Sequence, residues 1–378
     1  MKVLFVIPLL SSYCCFLQGV GKELLNKGNK VFLLTNNAHG NEIDGVKIIH
    51  LNFPRGMNVF CHLHCVSIIR RVVKDIRPDI IHTHFSANIF TVALAKEKSW
   101  PLTIATFHGL SFPVMKKGLK RILVKWAEIY SAQKMNQVCV LTEDDALALK
   151  KYIKKNSLYC YKSKGVGCDI ERFDKGKYSE YQKNKLRNRL NISNTDKVIV
   201  YVGRFVAFKG FNLVAHAFNG LWGHNIKLLL LGKKDSIHTT GLSAAEEASF
   251  FDNPNVVNVG FVDNVEDYLA ISDIMLFPST KEGLPVCVME ALSMEIPVIV
   301  PNSRGCNALV FNGYNGIVLK CLKISEIIKS VKLLLSKLDD TQMLDYMKKN
   351  RKIYDRRYYI NEQLDLYENL INGEHIKC

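Results

Sequence analysis

No run of eighteen apolar residues occurs in the chain, so no transmembrane helix is expected. A secretory signal of ordinary form is missing too. Met1 to Leu10 carries one Lys and the run V-L-F-V-I-P-L-L, but S-S-Y-C-C-F follows where a small-x-small cleavage site would stand. That run reads as a buried first strand. The eleven cysteines are scattered and odd in number. Without an export signal they are expected to be reduced cytosolic thiols rather than a disulfide framework. The C-H-L-H-C run at residues 61–65 lacks the second ligand pair that zinc normally requires, so it reads as the start of a helix. No short repeat is visible, and no nucleic-acid-binding motif accompanies the basic charge.

What is present fits a globular protein. The 378 residues suffice for two domains of ordinary size, with 48% hydrophobic and 23% charged residues. The net charge of +16 is unevenly spread. Residues 1–170 hold 24 basic and 11 acidic residues, while residues 171–378 hold 27 and 24. A polyanionic partner would therefore meet the first half.

Apolar strands alternate with helical patterns throughout. Strands are expected at Lys2 to Ile7, Lys30 to Thr35, Val46 to Leu51, Asp79 to His84, Leu102 to Phe107, Gln137 to Leu141 and Tyr159 to Lys162. Helices are expected between them, including Val66 to Ile76 and Leu119 to Gln133. A polar stretch, Asp174 to Lys197, reads as a linker with a helix inside it. The alternation then restarts with strands at Val198 to Val202, Lys227 to Leu231, Val256 to Val259, Ile274 to Phe277 and Val298 to Val300. Helices are read at Ile324 to Lys337 and Leu344 to Leu370. The pattern predicts α/β architecture with two Rossmann-like, doubly wound parallel domains, residues 1–175 and 195–354.

Two stretches of the second half carry chemistry. In Y-V-G-R-F-V-A-F-K-G, Gly203, Arg204, Lys209 and Gly210 lie between a strand and a helix. Two cations there suit a diphosphate, Arg as a fork and Lys as a point charge. In F-P-S-T-K-E-G-L-P-V-C-V-M-E, Glu282 and Gly283 follow a strand and Pro285 opens a helix. Glu290 lies eight residues after Glu282, a spacing of a little over two helical turns that lets both acids face one cleft. Two carboxylates and a helix N-terminus suggest a phosphorylated, hydroxyl-rich ligand. In the first half, His108 ends a strand beside Gly109, with a flexible loop expected after it. His82 and His84 end the preceding strand and share one side of it.

These motifs resemble the retaining family 4 glycosyltransferases, in which two Rossmann-like domains face a cleft (GT-B). The matching pieces are G-R-F-x-x-x-K-G, the stretch from G-F-V-D-N-V-E-D-Y to E-G-L-P-V-C-V-M-E-A, and I-P-V-I-V-P-N-S-R-G-C-N-A-L-V. The last is most similar to bacterial capsule, exopolysaccharide and O-antigen enzymes. In the first half D-I-I-H-T-H, T-F-H-G and G-V-G-C-D-I-E-R-F match more loosely. The resemblance implies that Arg204 and Lys209 bind the donor diphosphate with no metal required. It implies that Gly203 and the N–H groups of Gly283 and Leu284 lie beside the phosphates. Glu290 would accept hydrogen bonds from the ribose hydroxyls, and Glu282 would contact the donor sugar. His108 would project toward donor sugar and acceptor, and domain closure would bring it to Glu282. The C-terminal helix, 355–378, is expected to pack back on the first domain. The family's paired glycines after the first strand are replaced by L-L-S-S-Y-C-C-F, where Ser11, Ser12 and Tyr13 stand ready to line the acceptor side.

Three basic segments lie in the first half: Arg70, Arg71, Lys74 and Arg77; Met115 to Tyr130; and K-K-Y-I-K-K from Lys150. In the second, Leu119, Ile122, Leu123, Trp126 and Ile129 share a face, with Lys116, Lys117, Lys120, Arg121 and Lys125 around it. Such helices suit an anionic membrane surface. The expected protein is a cytoplasmic enzyme, peripheral on the cytoplasmic face of the inner membrane. It would move a sugar from a nucleotide-sugar, a UDP-sugar first and GDP-mannose second, to a lipid-linked glycan acceptor, needing no cofactor. The alternatives are another GT-B enzyme such as a nucleotide-sugar epimerase, or a non-catalytic basic protein that binds membrane or nucleic acid.

Overall fold

The computed structural model describes residues 1–36, 42–54, 59–154, 157–221 and 225–373. The chain divides into two compact units, Met1–Val166 with Arg357–Cys378, and Gly167–Arg356. Each is built on a sheet whose paired strands run parallel.

In the first unit the strands are β1 (Lys2–Leu9), β2 (Lys30–Asn36), β3 (Val46–His50), β4 (Ile80–His84), β5 (Leu102–Phe107), β6 (Gln137–Val140) and β7 (Leu158–Cys160). Their spatial order is β3-β2-β1-β4-β5-β6-β7. The second unit has β8 (Lys197–Val202), β9 (Ile226–Leu231), β10 (Val256–Gly260), β11 (Ile274–Leu276), β12 (Val298–Pro301) and β13 (Gly316–Leu319). Their order, β10-β9-β8-β11-β12-β13, repeats that of the first six strands. Continuous apolar runs such as V-I-V-Y in β8 are buried because helices cover both faces of such sheets. The direction of strand addition reverses between β1 and β4, and again between β8 and β11. Ligands of open parallel sheets bind at the carboxyl ends of strands flanking such a reversal.

Several expectations change. The stretch read as a linker belongs to the second unit. Helix Glu180–Arg189 starts with a capping box of Ser179 and Gln182. Tyr178 donates to Asp267 at 2.8 Å and Arg187 to the Ile271 carbonyl at 3.0 Å. The single helix expected over Leu344 to Leu370 is two, Thr341–Asn350 and Arg356–Ile371, separated by a 3-10 turn at Arg351–Tyr354. Arg351 pins that turn by donating to the carbonyls of Ser293, Ile170 and Phe173. The later helix packs into the first unit. Tyr359, Leu364, Leu366 and Tyr367 are buried there, and Tyr159 donates to Glu362 at 2.6 Å.

A helix, Leu10–Phe16, follows β1 directly and was not foreseen, nor were helix Ala244–Phe251 and β13. Tyr13, proposed from sequence as a site-lining residue, is fully buried in the core against Phe5, ring centroids 5.9 Å apart.

Candidate functional site

In the second unit, the loops after β8 and β11 lie at the strand-order reversal. They are held together at Gly210, whose φ of 76° is left-handed. A Cβ there would sit 2.4 Å from the Pro278 carbonyl oxygen, so only glycine allows the approach. Thr280 N–H donates to the Phe208 carbonyl at 3.0 Å across the same contact. Lys209 Nζ thereby reaches Glu282 Oε1 at 2.6 Å, and Ser279 Oγ donates to the same oxygen at 2.6 Å. Arg204 pairs instead with Asp235, beyond the end of β9. Its guanidinium lies 5.3 Å over the Phe208 ring. The Asp235 carboxyl is held well below the usual carboxylate range by the Ile237 N–H and then by Arg204. Each cation thus has its own acid.

The two glutamates stand in different surroundings. Glu282 precedes the helix, which runs Val286–Ser293 with Pro285 as its cap. Helical spacing therefore does not relate Glu282 to Glu290. Gly305 braces the Glu282 loop: its φ is 82°, and a Cβ there would lie 1.7 Å from the Gly283 carbonyl oxygen. Among the described residues, no acceptor takes the N–H of Gly283 or Leu284. The Glu290 carboxylate accepts no hydrogen bond from a described residue either. Burial raises its carboxyl to about 7, against the opposing pull of Arg356 and Arg172. Arg356 Nε is buried without a partner among the described residues. Free N–H donors, a free carboxylate and two cations form a polar set suited to phosphate and vicinal hydroxyls.

In the first unit, His82 and His84 end β4 with ring centroids 4.0 Å apart. His82 serves the structure, pairing with the Tyr367 hydroxyl at 2.6 Å and the Thr106 hydroxyl at 2.8 Å. His84 Nδ1 meets His108 Nε2 at 3.1 Å. His108 follows β5, is half-buried, and stacks on Phe85 at 4.4 Å. Burial lowers it to about 3, so it is a neutral imidazole at ordinary pH. The segment after it is clamped, contrary to the flexible loop expected. Glu128 accepts from the N–H groups of Ser111 and Phe112 and from Ser86 Oγ, and Asp145 accepts from the Leu110 N–H. Both acids are buried.

Residues 182–353 match the family model described as "Glycosyl transferases group 1", and residues 16–157 match "Glycosyltransferase Family 4". The chain belongs to the family 4 glycosyltransferases. One similar protein is the UDP-Gal:alpha-D-GlcNAc-diphosphoundecaprenol alpha-1,3-galactosyltransferase of Escherichia coli, 24% identical over 303 residues, or 78% of this chain and 75% of that one. Another is the N,N'-diacetylbacillosaminyl-diphospho-undecaprenol alpha-1,3-N-acetylgalactosaminyltransferase of Campylobacter jejuni, 24% identical over 340 residues, or 87% of each. Among solved structures, sucrose-phosphate synthase of Thermosynechococcus elongatus shares the fold, with a TM-score of 0.82 at 16% identity over 99% of this chain and 100% of that one. The two Rossmann-like units are those of a GT-B fold.

The glycosyltransferase also has residues in these surroundings that sequence reasoning passed over. Asp235 follows the carboxyl end of β9 in L-G-K-K-D, a position that marks it in retrospect. Ser279 and Arg172 lie inside quoted motifs but were given no role there, and Arg356, Glu128 and Asp145 lie outside any motif. The 61–65 run lies in helix Val59–Ile76, where His62 is buried against Thr91 at 2.7 Å. Among the described residues, no three His, Cys, Asp or Glu side chains converge as a metal would need. Also among them, no helix is long and apolar enough to cross a membrane. Of the three basic segments, Arg70, Arg71 and Lys74 lie on helix Val59–Ile76 with Arg77 just beyond it, and Met115 to Tyr130 runs into helix Leu119–Lys134. The third follows helix Glu143–Leu149, with Lys155 outside the described residues.

Proposed function

We propose that this glycosyltransferase moves a sugar from a nucleoside-diphosphate sugar to a lipid-linked sugar or oligosaccharide in surface polysaccharide assembly. A UDP-sugar is the first choice of donor and GDP-mannose the second. The observation that carries the reading is the Glu290 carboxylate, raised to about 7 and without a protein hydrogen-bond donor among the described residues, near Arg356 and Arg172. A ribose would supply the missing donors. The Gly283 and Leu284 N–H groups would meet the diphosphate beside Gly203. Lys209 and Arg204 would offset charge on the departing phosphate, with no metal required. Glu282, positioned by Lys209 and Ser279, would hold donor-sugar hydroxyls. His108 would serve the acceptor from the first unit as a neutral hydrogen-bonding group.

Configuration is proposed to be retained, with the leaving phosphate taking the acceptor's proton and no protein nucleophile. The two similar transferases are named for diphosphoundecaprenol-linked substrates, and one for UDP-Gal, which supports the lipid-linked acceptor and the first choice of donor. The proposed location is the cytoplasmic face of the membrane. The test is a thermal-shift panel of UDP- and GDP-sugars, because a ligand that binds only the folded state raises its stability by mass action. A rise with one nucleotide series, lost in Lys209→Ala, is expected. No rise with any nucleotide sugar overturns the reading.

A further inference from the structure

One hydrogen bond in the first unit decides what His108 can offer a substrate. His84 is the last residue of β4, and His108 is the first after β5. The parallel register sets His84 opposite Thr106. His108, two residues on, returns to the same face, and His84 Nδ1 meets its Nε2 at 3.1 Å. The His108 ring is held on its faces as well. Phe85 stacks on it with 18° between the planes, and the Phe16 ring lies 5.0 Å away. Phe85 has a φ of 67°, a left-handed value that a residue other than glycine keeps only when its surroundings impose it. His108 Nδ1 has no partner among the described residues.

Both imidazoles are neutral at ordinary pH, because burial pushes each well below the usual histidine value. A neutral imidazole donates from one nitrogen and accepts at the other. The proton between His84 Nδ1 and His108 Nε2 therefore has two homes. If it belongs to His108, then His84 carries its own proton on Nε2. That nitrogen is buried without a partner among the described residues, so its N–H would point at no acceptor. Orphaned buried N–H groups are rarer in native proteins than under-used acceptors. If the proton belongs to His84 Nδ1, only a lone pair is left bare at Nε2. His108 Nε2 then accepts, and the His108 proton lies on Nδ1. His82, whose ring is 4.0 Å from that of His84, spends its nitrogens on the Tyr367 and Thr106 hydroxyls and does not compete. We infer that His84 is a positioning residue that fixes His108 as the Nδ1–H tautomer, so that His108 gives a hydrogen bond to a substrate hydroxyl oxygen and takes no proton from it. The inference rests on the proposed acceptor-side role of His108 and narrows it. An Nδ1–H has no lone pair with which to act as a general base, and the acceptor's proton is left to the departing phosphate.

The experiment is 15N NMR of the full chain labelled in its histidines, above the ordinary histidine titration range. His108→Gln identifies the His108 signals by their loss. In wild type, Nδ1 of His108 should read as protonated and Nε2 as bare, in one fixed tautomer. In His84→Leu that separation should be lost, the two nitrogens moving toward one averaged value. His84→Asn places a side-chain N–H where Nδ1 stood, and should restore the wild-type pattern. Both His84 variants should keep the nucleotide-sugar thermal shift, whose proposed residues are in the second unit. The reverse pattern in wild type, or an exchanging mixture, overturns the inference, and this reading stands even if the leucine variant fails to fold. So does a leucine variant that melts lower while His108 keeps its pattern, since His84 would then be structural only. A reversed tautomer with an intact thermal shift leaves the donor reading standing, whereas the fixed tautomer without any shift sinks that reading alone.

Discussion

Glu290→Gln separates the cost of a buried carboxylate from its use. In the folded protein the carboxyl titrates at about 7 rather than at its ordinary value near 4.5. The ionised form is thereby disfavoured by at most about 3 kcal/mol. The sign follows from the direction of the shift. A folded-state value above the unfolded one gives stability that is complete below the unfolded value and is lost as pH rises through the folded one. Glutamine is neutral at every pH and mimics the protonated acid. Wild type and variant should therefore unfold alike in urea at about pH 4, and at about pH 8 the variant should be the more stable by about 1 to 3 kcal/mol. Nucleotide binding should move the opposite way. Losing charge-assisted hydrogen bonds to ribose hydroxyls, at about 1.5 to 3 kcal/mol, weakens nucleotide affinity by about tenfold to a hundredfold. Wild-type affinity should rise as pH passes through about 7, while the variant's profile stays flat in that range. Calorimetric titration with nucleotide, paired with urea melts at both pH values, reads each quantity. A variant less stable than wild type at about pH 8, or one with unchanged nucleotide affinity, refutes the reasoning.

Asp235→Asn removes the acid that holds Arg204. If Arg204 serves a diphosphate, the variant should bind nucleoside diphosphate severalfold more tightly by calorimetry, and weaker binding would count against that role. Glu128→Ala leaves the N–H groups of Ser111 and Phe112 and the Ser86 hydroxyl without their common acceptor. It should lose about 2 to 4 kcal/mol in urea unfolding, and amide exchange should speed up over residues 109–112.

Much of the fold was legible because buried parallel strands read as uninterrupted apolar runs. I-V-Y-V and L-L-L-L permit little else between charged turns. Helix Leu10–Phe16 was not legible, because S-S-Y-C-C-F has no clear helical period and Tyr13 fixes it through tertiary packing on Phe5. Amphipathicity alone also could not name the packed side of helix Leu119–Lys134, which is the one carrying Val124, Ala127, Glu128, Ser131 and Ala132. A buried Glu128 looks polar in sequence, and only its three donors explain why it faces inward. In the candidate site, Arg204, Lys209 and Glu282 were visible as residues at strand ends, but their partners were not. Asp235 reaches Arg204 from the separate loop after β9, and Ser279 meets Glu282 within one loop through a side-chain geometry that residue types do not reveal.

The return of helix Arg356–Ile371 has a consequence for synthesis on the ribosome. Tyr367 caps His82, and Gln363 pairs with Tyr161, inside a unit whose other members end at Val166. The second unit is in effect an insertion in the first. It is complete, and able to fold, as soon as Arg356 leaves the exit tunnel. The first unit, although begun earlier, must wait with Tyr161 and His82 uncovered until the last helix arrives. A fragment ending near Val166 would expose that surface permanently, so the later-made unit is the one to express alone.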